Sequence, residues 1–364
     1  MSNSWEEKWI EDIDYLKDNL IGKHKNLFFN ISREEFEDKL RYLKSLINEL
    51  DYDEMKVELS RVVASVRDAH TSLAFPVKKY IPLKFYWFKE GIYIVDTTDM
   101  YKHLLYKKIL SIEGMAIDKV MADIREIVSC ENEYFFKAKS MNYLNIAEVL
   151  YGLIIIDSTD KVKIGLEDEE VELETVYRDE LVYINNELPQ YLKEEKDNFC
   201  YKYFKDSEEL YIYYNSCREK GDIKIENKIT EVINYINRNQ ITKVTIDLSN
   251  NLGGDSRLIR PLIDYIKGNN SINTKENLKI KIGRETFSSA LINAYEFKWE
   301  TNGIIVGEPS GGKPNCFGEI LRFVLPNSKF NVSYSTKYYK LIEDDSVMAL
   351  YPDAIEDISI ENFL

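Results

Sequence analysis

Between Leu210 and Glu308 the chain alternates β-branched and aromatic runs with runs of helical period: strand LYIYYN (210–215), helix ENKITEVINYINRN (226–239), strand KVTIDLS (243–249), helix SRLIRPLIDYIKG (256–268), strand LKIKIG (278–283), a helix from Ser288, and strand GIIVGE (303–308). Strands separated by helices of this length are joined by crossovers, so the pattern predicts an α/β fold with a largely parallel sheet. Ligand sites in such sheets gather beyond the carboxyl ends of the strands. Three loops fall there: NNLGGDS, ETFSSA and GEPSGGKPN.

The residues before this region follow other periods. Residues 5–67 read as three helices, the second opening at Ser32 with Glu35 placed to complete a capping box, and the block ends at RDAHTSL with His70 just past a helix end. From Tyr80 to about Val176 apolar residues alternate in IPLKFYWF, GIYIVDT, KVKIGL and EVELETV, which predicts a small β-rich unit with one or two helices. The strands ILRFVLP and FNVSYS follow the α/β region. A chain of 364 residues is long enough for two or three units. We expect a helical region over 1–75, a β-rich unit over 76–178 and an α/β unit over 179–364, packed together because no linker rich in Pro, Gly or Ser divides them.

Charge excludes some functions. With 48 basic and 63 acidic residues the net charge is −15, and no dense basic cluster interrupts it, so nucleic acid and anionic lipid are repelled. The 4 cysteines are scattered and the histidines number only 3 (His24, His70, His103), which leaves no metal-ligand pattern; no metal or cofactor is expected. His24 and His103 read as surface or capping residues. No apolar run reaches the ~20 residues of a membrane span. The start MSNSWEEKW is polar and acidic, so the expected location is cytoplasmic as written, and extracytoplasmic if a leader precedes it.

Each strand-end loop has a chemical reading. Gly253 and Gly254 let backbone N–H groups approach an anion at a strand-to-helix turn, suiting a phosphate or an acyl-transfer oxyanion. GEPSGGKP nearly matches the phosphate loop GxxxxGK with Ser or Thr, but Pro314 lacks the hydroxyl and a strand-like run follows where a helix is required, so nucleotide binding is set aside. ETFSSA places Ser288 and Ser289 at a helix start, where a serine is an ordinary cap unless a base and an oxyanion donor stand nearby.

Taken together, DLSNNLGG (247–254), TFSSA (286–290), VGEPSGG (306–312), LPNS (325–328), YPD (351–353) and RDAHT (67–71) resemble the C-terminal processing (tail-specific) serine peptidases and the related tricorn-protease core. The resemblance spans roughly residues 5–360 and is strongest over 243–336. It implies a crotonase/ClpP-like β/α spiral catalytic domain with an N-terminal helical bundle and a small PDZ-like β-rich unit. Ser288 lies 19 residues before Gly307, and Lys313 lies 25 after Ser288, the spacings that the tail-specific branch sets between its nucleophile, turn glycine and lysine. Ser288 is thereby the implied nucleophile, Ser289 the fallback, and Gly253, Gly254 and Ser289 the oxyanion donors.

Two bases stay open. Lys313 matches the tail-specific lysine, but Phe317 stands where that branch has glutamine, and a lysine base must lose much of its ordinary basicity. His70 matches the tricorn-like histidine, which needs no such shift, but Ala69 stands where that branch has a hydroxyl; Asp68 or Thr71 would then orient the ring. The implied function is a serine endopeptidase acting on peptides or unfolded protein tails, with homo-oligomers compatible. The alternative is a non-catalytic binder on the same fold, as in modules of interphotoreceptor retinoid-binding protein, taking a peptide or apolar ligand.

Overall fold

A computed structural model describes residues 4–184, 197–221, 224–356 and 358–362. The chain opens with helices α1 (Trp5–Lys23), α2 (Arg33–Leu46) and α3 (Tyr52–Ala64). Capping boxes close at Ser4 with Glu7 and at Asp51 with Glu54. At Ser32 only half of the expected box forms: the serine accepts from the Glu35 N–H, and the return bond is absent. Strand β1 (Ser72–Ala74) follows at once.

The middle of the chain runs β2 (Lys79–Tyr80), β3 (Leu83–Phe88), β4 (Gly91–Thr97), β5 (Ile109–Ile112), β6 (Met115–Ala116), α4 (Ile117–Arg125), α5 (Glu133–Leu144), α6 (Ala147–Gly152), β7 (Lys161–Leu166), β8 (Glu170–Glu174) and β9 (Val176–Tyr177). Three helices stand here where one or two were expected. α5 escapes a periodicity reading because aromatic and apolar residues occupy several of its faces; it buries Phe135, Phe136 and Met141 together. Strands β5 to β8 form a four-stranded antiparallel sheet in the order β6-β5-β7-β8.

Next come β10 (Phe199–Phe204), β11 (Glu209–Tyr214), α7 (Ile225–Asn239), β12 (Lys243–Asp247), α8 (Arg260–Gly268), β13 (Leu278–Ile282), α9 (Ser289–Glu300) and β14 (Ile304–Gly307). Last are β15 (Asn315–Val324), β16 (Asn331–Lys340) and β17 (Ala354–Ile355). The six-stranded sheet runs β10-β11-β12-β13-β14-β17, antiparallel only between β10 and β11, as the alternation of strands and helices predicts. The chain is thus a mixed α/β protein. β15 and β16 lie outside that sheet: they pair with each other, and β16 pairs with β1 on its other edge, so GEPSGGKP runs into a strand and not a helix.

Three large apolar clusters, beside a small one around Phe88, Val95 and Ile360, hold these parts. One lies under the six-stranded sheet, around Ile246, Ile280 and Phe297. A second fills the β-rich middle, around Ile94, Phe136 and Ile164. The third joins the N-terminal helices to the β15–β16 hairpin, so Trp9 and Leu16 share their core with Phe323, Phe330 and Val332. Polar ties reinforce the joints. Buried Asp12 accepts the Asn327 and Ser328 N–H groups at 2.7 and 2.8 Å, fastening the LPNS turn to α1. Arg284 pairs with Glu308 and donates to the Trp87 carbonyl at 2.6 Å, tying the ends of β13 and β14 to β3. No described helix is long and apolar enough to cross a membrane.

Candidate active site

Ser288 occupies the turn between β13 and α9 with φ 54° and ψ −125°, a conformation that costs a non-glycine residue about 1–3 kcal/mol. The turn is over-determined by its surroundings. Buried Thr286 donates to the Leu248 carbonyl at 2.8 Å and accepts from the Gly283 N–H at 2.9 Å, and the Phe287 N–H donates to the Asn251 carbonyl at 3.1 Å. Ser288 does not cap α9, and among the described residues its hydroxyl has no hydrogen-bond partner. The neighbouring hydroxyl differs: Ser289 Oγ donates to the Gly254 carbonyl at 2.6 Å.

The glycine loop lies directly against this turn. A Cβ on Gly253 would stand 2.8 Å from Ser288 Cβ and 2.9 Å from the Ser289 nitrogen, and one on Gly254 would stand 2.1 Å from the Cys217 carbonyl oxygen. Both residues also have positive φ, 97° and 142°, so only glycine fits. The Gly253 N–H donates to Asn251 Oδ1 at 2.8 Å. The Gly254 and Ser289 N–H groups have no acceptor among the described residues, and the Ser289 N–H adds the positive end of α9.

His70 is carried by the turn between α3 and β1, which the pairing of Ser72 with Ser333 fixes to β16. It is only 4% exposed, and neither ring nitrogen has a hydrogen-bond partner. The ring stacks on Phe287 at 4.4 Å, and Phe287 stacks in turn on Phe135 at 4.2 Å. Burial pushes the imidazole below its ordinary pKa; the Asp68 charge and the Phe317 backbone, which approaches without forming a well-aligned bond, oppose the shift.

Asp68 anchors this turn from beneath. Its Oδ1 accepts the His70 N–H at 2.9 Å and lies 4.0 Å from His70 Nδ1. Its Oδ2 accepts from Thr71 Oγ1 at 2.6 Å, Ser335 Oγ at 2.6 Å and His24 Nε2 at 2.9 Å. Burial alone would raise the Asp68 carboxyl, but the His24 bond, the His70 charge and the two hydroxyls hold it below the usual carboxylate range. His24 corrects a sequence expectation: it is the C-cap of α1, yet it is buried and takes part in this network. Its Nδ1 accepts the Asn26 N–H, so the proton shared with Asp68 sits on Nε2. His103 is exposed.

A cavity of about 300 Å³ gathers His70, Gly254, Ser288, Ser289 and Lys313 along its walls; Gly253 lies outside that lining. A residue that no motif indicates feels the Lys313 charge. Glu131 is half-buried overall, but its Oε2 is sealed from solvent without a partner. Burial and the Asp68 charge push its carboxyl well above the ordinary value, and Lys313 opposes them. Cys316 is raised by the same burial and the same two carboxylates. Phe317 packs on His24 at 5.3 Å and on Tyr338 at 4.9 Å, an apolar contact where the tail-specific pattern has an amide.

The sequence brought the serines, the glycines and His70 into view and missed Asp68's four-way anchorage, Phe287, His24 and Glu131. Phe287 was within reach, since it adjoins the candidate serine. Glu131 was not, because the charges that act on it, Asp68 and Lys313, are 63 residues back and 182 residues on.

No protein-family model and no curated protein matches the chain by sequence. Among solved structures, the fold is that of mature CPAF. In particular, mature CPAF complexed with lactacystin superposes at a TM-score of 0.70 with 10% identity, over 98% of this chain and 95% of that one. A serine-to-alanine mutant of CPAF gives 0.68 at 11% identity, over 98% and 94%. The photosystem II D1 C-terminal processing protease reaches 0.45 at 11% identity, over 98% and 94%. At these identities the likeness to CPAF establishes the fold and carries no residue role.

Proposed function

We propose that the chain is a serine peptidase acting on peptides or unfolded protein tails, with Ser288 as nucleophile and His70 as general base. The observation that carries this reading is a strained, unbonded serine hydroxyl sharing one cavity with a buried histidine whose ring nitrogens have no partner. Ser289, whose hydroxyl is engaged by Gly254, is the weaker nucleophile.

In this mechanism Ser288 Oγ bonds to the scissile carbonyl carbon as His70 takes its proton, and the oxyanion is received by the Ser289 and Gly254 N–H groups. His70 returns the proton to the leaving amine as the C–N bond breaks, and water reverses the sequence to release the acid. Gly253, bonded to Asn251, shapes the loop. Asp68 holds the histidine turn and favours the imidazolium that forms. Lys313 is the second candidate base. We further read the six-stranded sheet and its helices, within 179–364, as the crotonase/ClpP-like spiral, residues 76–178 as a PDZ-like unit that receives an extended peptide, and 1–75 as the helical region.

The test is labelling with a fluorophosphonate, in which an activated serine oxygen displaces fluoride, followed by mass mapping. An adduct on Ser288 that is lost in His70→Ala and retained in Lys313→Ala supports the Ser/His reading, and the reverse pattern a Ser/Lys one. A folded wild type that forms no adduct overturns the peptidase and favours the binding protein.

A further inference from the structure

We propose that the site selects peptides carrying a carboxylate within a few residues of the scissile bond, next to an apolar side chain. This rests on Ser288 as the reacting centre. The chain as a whole is strongly acidic, yet the cavity around Ser288 is lined by three cations, Arg218, Lys313 and Arg322, and by one acid, Glu319.

The partners of these groups decide which charge is left over. Glu319 is already satisfied: it accepts from Tyr339 Oη at 2.8 Å and pairs with Lys337 at 3.5 Å. Lys313 acts on the Glu131 carboxyl only through its charge, and as the second candidate base it is set aside here. Asp255, the acid next to Gly254, is held by the Arg257 guanidinium at 2.7 and 2.9 Å, and Glu219 accepts the Ile225 N–H at 2.9 Å. Among the described residues this leaves the guanidinium groups of Arg218 and Arg322 with no carboxylate.

Both arginines are placed by backbone constraints. The Arg218 carbonyl accepts from Asn198 Nδ2 at 2.6 Å, and the Cys217–Gly254 bridge sets the Arg218 stem beside Gly254, where a Cβ would lie 2.8 Å from its Cγ. Arg322 stands on the other wall. Alternation along β15 turns Gly318, Ile320 and Arg322 to the cavity, and the ladder with β16 keeps its register across Glu319, whose own φ is 58°. Leu252 and Ile320, 44% and 40% exposed, add apolar surface to the same cavity lining. A guanidinium fork binds a carboxylate in bidentate fashion and rejects an ammonium.

The carboxylate has two sources, an Asp or Glu side chain or the α-carboxylate of a C-terminus. The experiment uses internally quenched peptides of one apolar scaffold with Glu, Gln or Lys near the cleaved bond, each with a free or an amidated terminus. The expected result is a kcat/KM for Glu over Gln of about tenfold, the scale of one charge-assisted hydrogen bond, and a larger margin over Lys. The double variant Arg218→Glu/Arg322→Glu is expected to invert the Glu-to-Lys ratio, and Arg218→Gln/Arg322→Gln to level it. A margin that follows only the free terminus assigns the site to the α-carboxylate. Equal kcat/KM across the series overturns the inference while leaving the peptidase in place. Binding of the same peptides to Ser288→Ala, read by fluorescence anisotropy, separates the two claims: a Glu-over-Lys ranking with no turnover by wild type sustains carboxylate recognition and removes the peptidase.

Discussion

Phe287 stacks its ring on the His70 imidazole with centroids 4.4 Å apart and planes 28° apart, so the residue beside the candidate nucleophile also sets the face of the candidate base. The pair joins two turns 217 positions apart in sequence. With Phe135 stacked beneath at 4.2 Å, the imidazole has one way to lie flat. Truncation in Phe287→Ala is expected to cost about 3 kcal/mol in stability and at least tenfold in the rate of Ser288 labelling. Phe287→Leu restores the volume without the flat face, so it is expected to recover stability more than rate. Denaturant unfolding and labelling kinetics check both; equal recovery would reduce Phe287 to filler.

Ser288, the candidate nucleophile, sits in a strained conformation. Replacing it with glycine, which adopts φ 54° freely, is expected to abolish labelling and to stabilise the fold by about 1 kcal/mol, whereas Ser288→Ala removes the hydroxyl and keeps the strain. Comparing the unfolding midpoints of the two variants isolates the backbone contribution. A glycine variant no more stable than the alanine one would mean that the turn is unstrained.

Gly254 predicts the opposite sign. A methyl group there meets the Cys217 carbonyl oxygen at 2.1 Å on a residue with φ 142°, so Gly254→Ala is expected to destabilise the protein by about 2 kcal/mol or more, the cost of such strain, and to displace a candidate oxyanion donor. Circular dichroism melts together with labelling rates measure both effects.

Acid should silence the site only below the ordinary histidine range. Burial holds His70 below the ordinary value near ~6.5, so the ring stays neutral and basic through neutral pH. As pH falls through the folded-state pKa the base is lost, and the acid limb of kcat/KM is expected below ~6.5. Stability moves in the same direction: a depressed folded pKa contributes fully above the unfolded value and is lost as pH falls through the folded one, and Asp68 adds a second such loss at lower pH. A pH profile rising only toward the alkaline side would point to Lys313.

Glu131 carries the reverse sign. Its folded pKa lies well above the unfolded value, so its contribution is complete below the unfolded pKa and is lost as pH rises through the folded one. Relative to wild type, Glu131→Gln is expected to gain stability as pH rises, by up to about 1.4 kcal/mol per pH unit between the two pKa values. Urea unfolding at pH 5 and pH 8, taken as the difference between the two proteins, measures it; a constant difference would mean that the carboxyl is ordinary.

Much of the architecture was legible because local patterns repeat there. The strand and helix alternation of 210–308 appears as β11 to β14 and their crossover helices, since period and turn residues are short-range properties. α5 was not legible: its burial on several sides erases the helical stripe. The half-formed box at Ser32 shows the same limit, because a capping sequence permits a bond that side-chain geometry then decides.

The candidate site divides along the same line. By itself the sequence determined the unusual turns, since paired glycines after a buried strand and two serines at a helix mouth restrict the backbone wherever they fold. Only the tertiary structure decided which groups are left unbonded: Ser289 is engaged by Gly254, Gly253 by Asn251, and Glu319 by Lys337 and Tyr339, while among the described residues the Ser288 hydroxyl and the His70 ring find no hydrogen-bond partner and Arg218 and Arg322 find no carboxylate. The reason is physical. A hydrogen bond or an ion pair depends on where two side chains meet, and His24 reaches Asp68 across 44 residues and Ser335 reaches it across 267, separations along which no local pattern carries information.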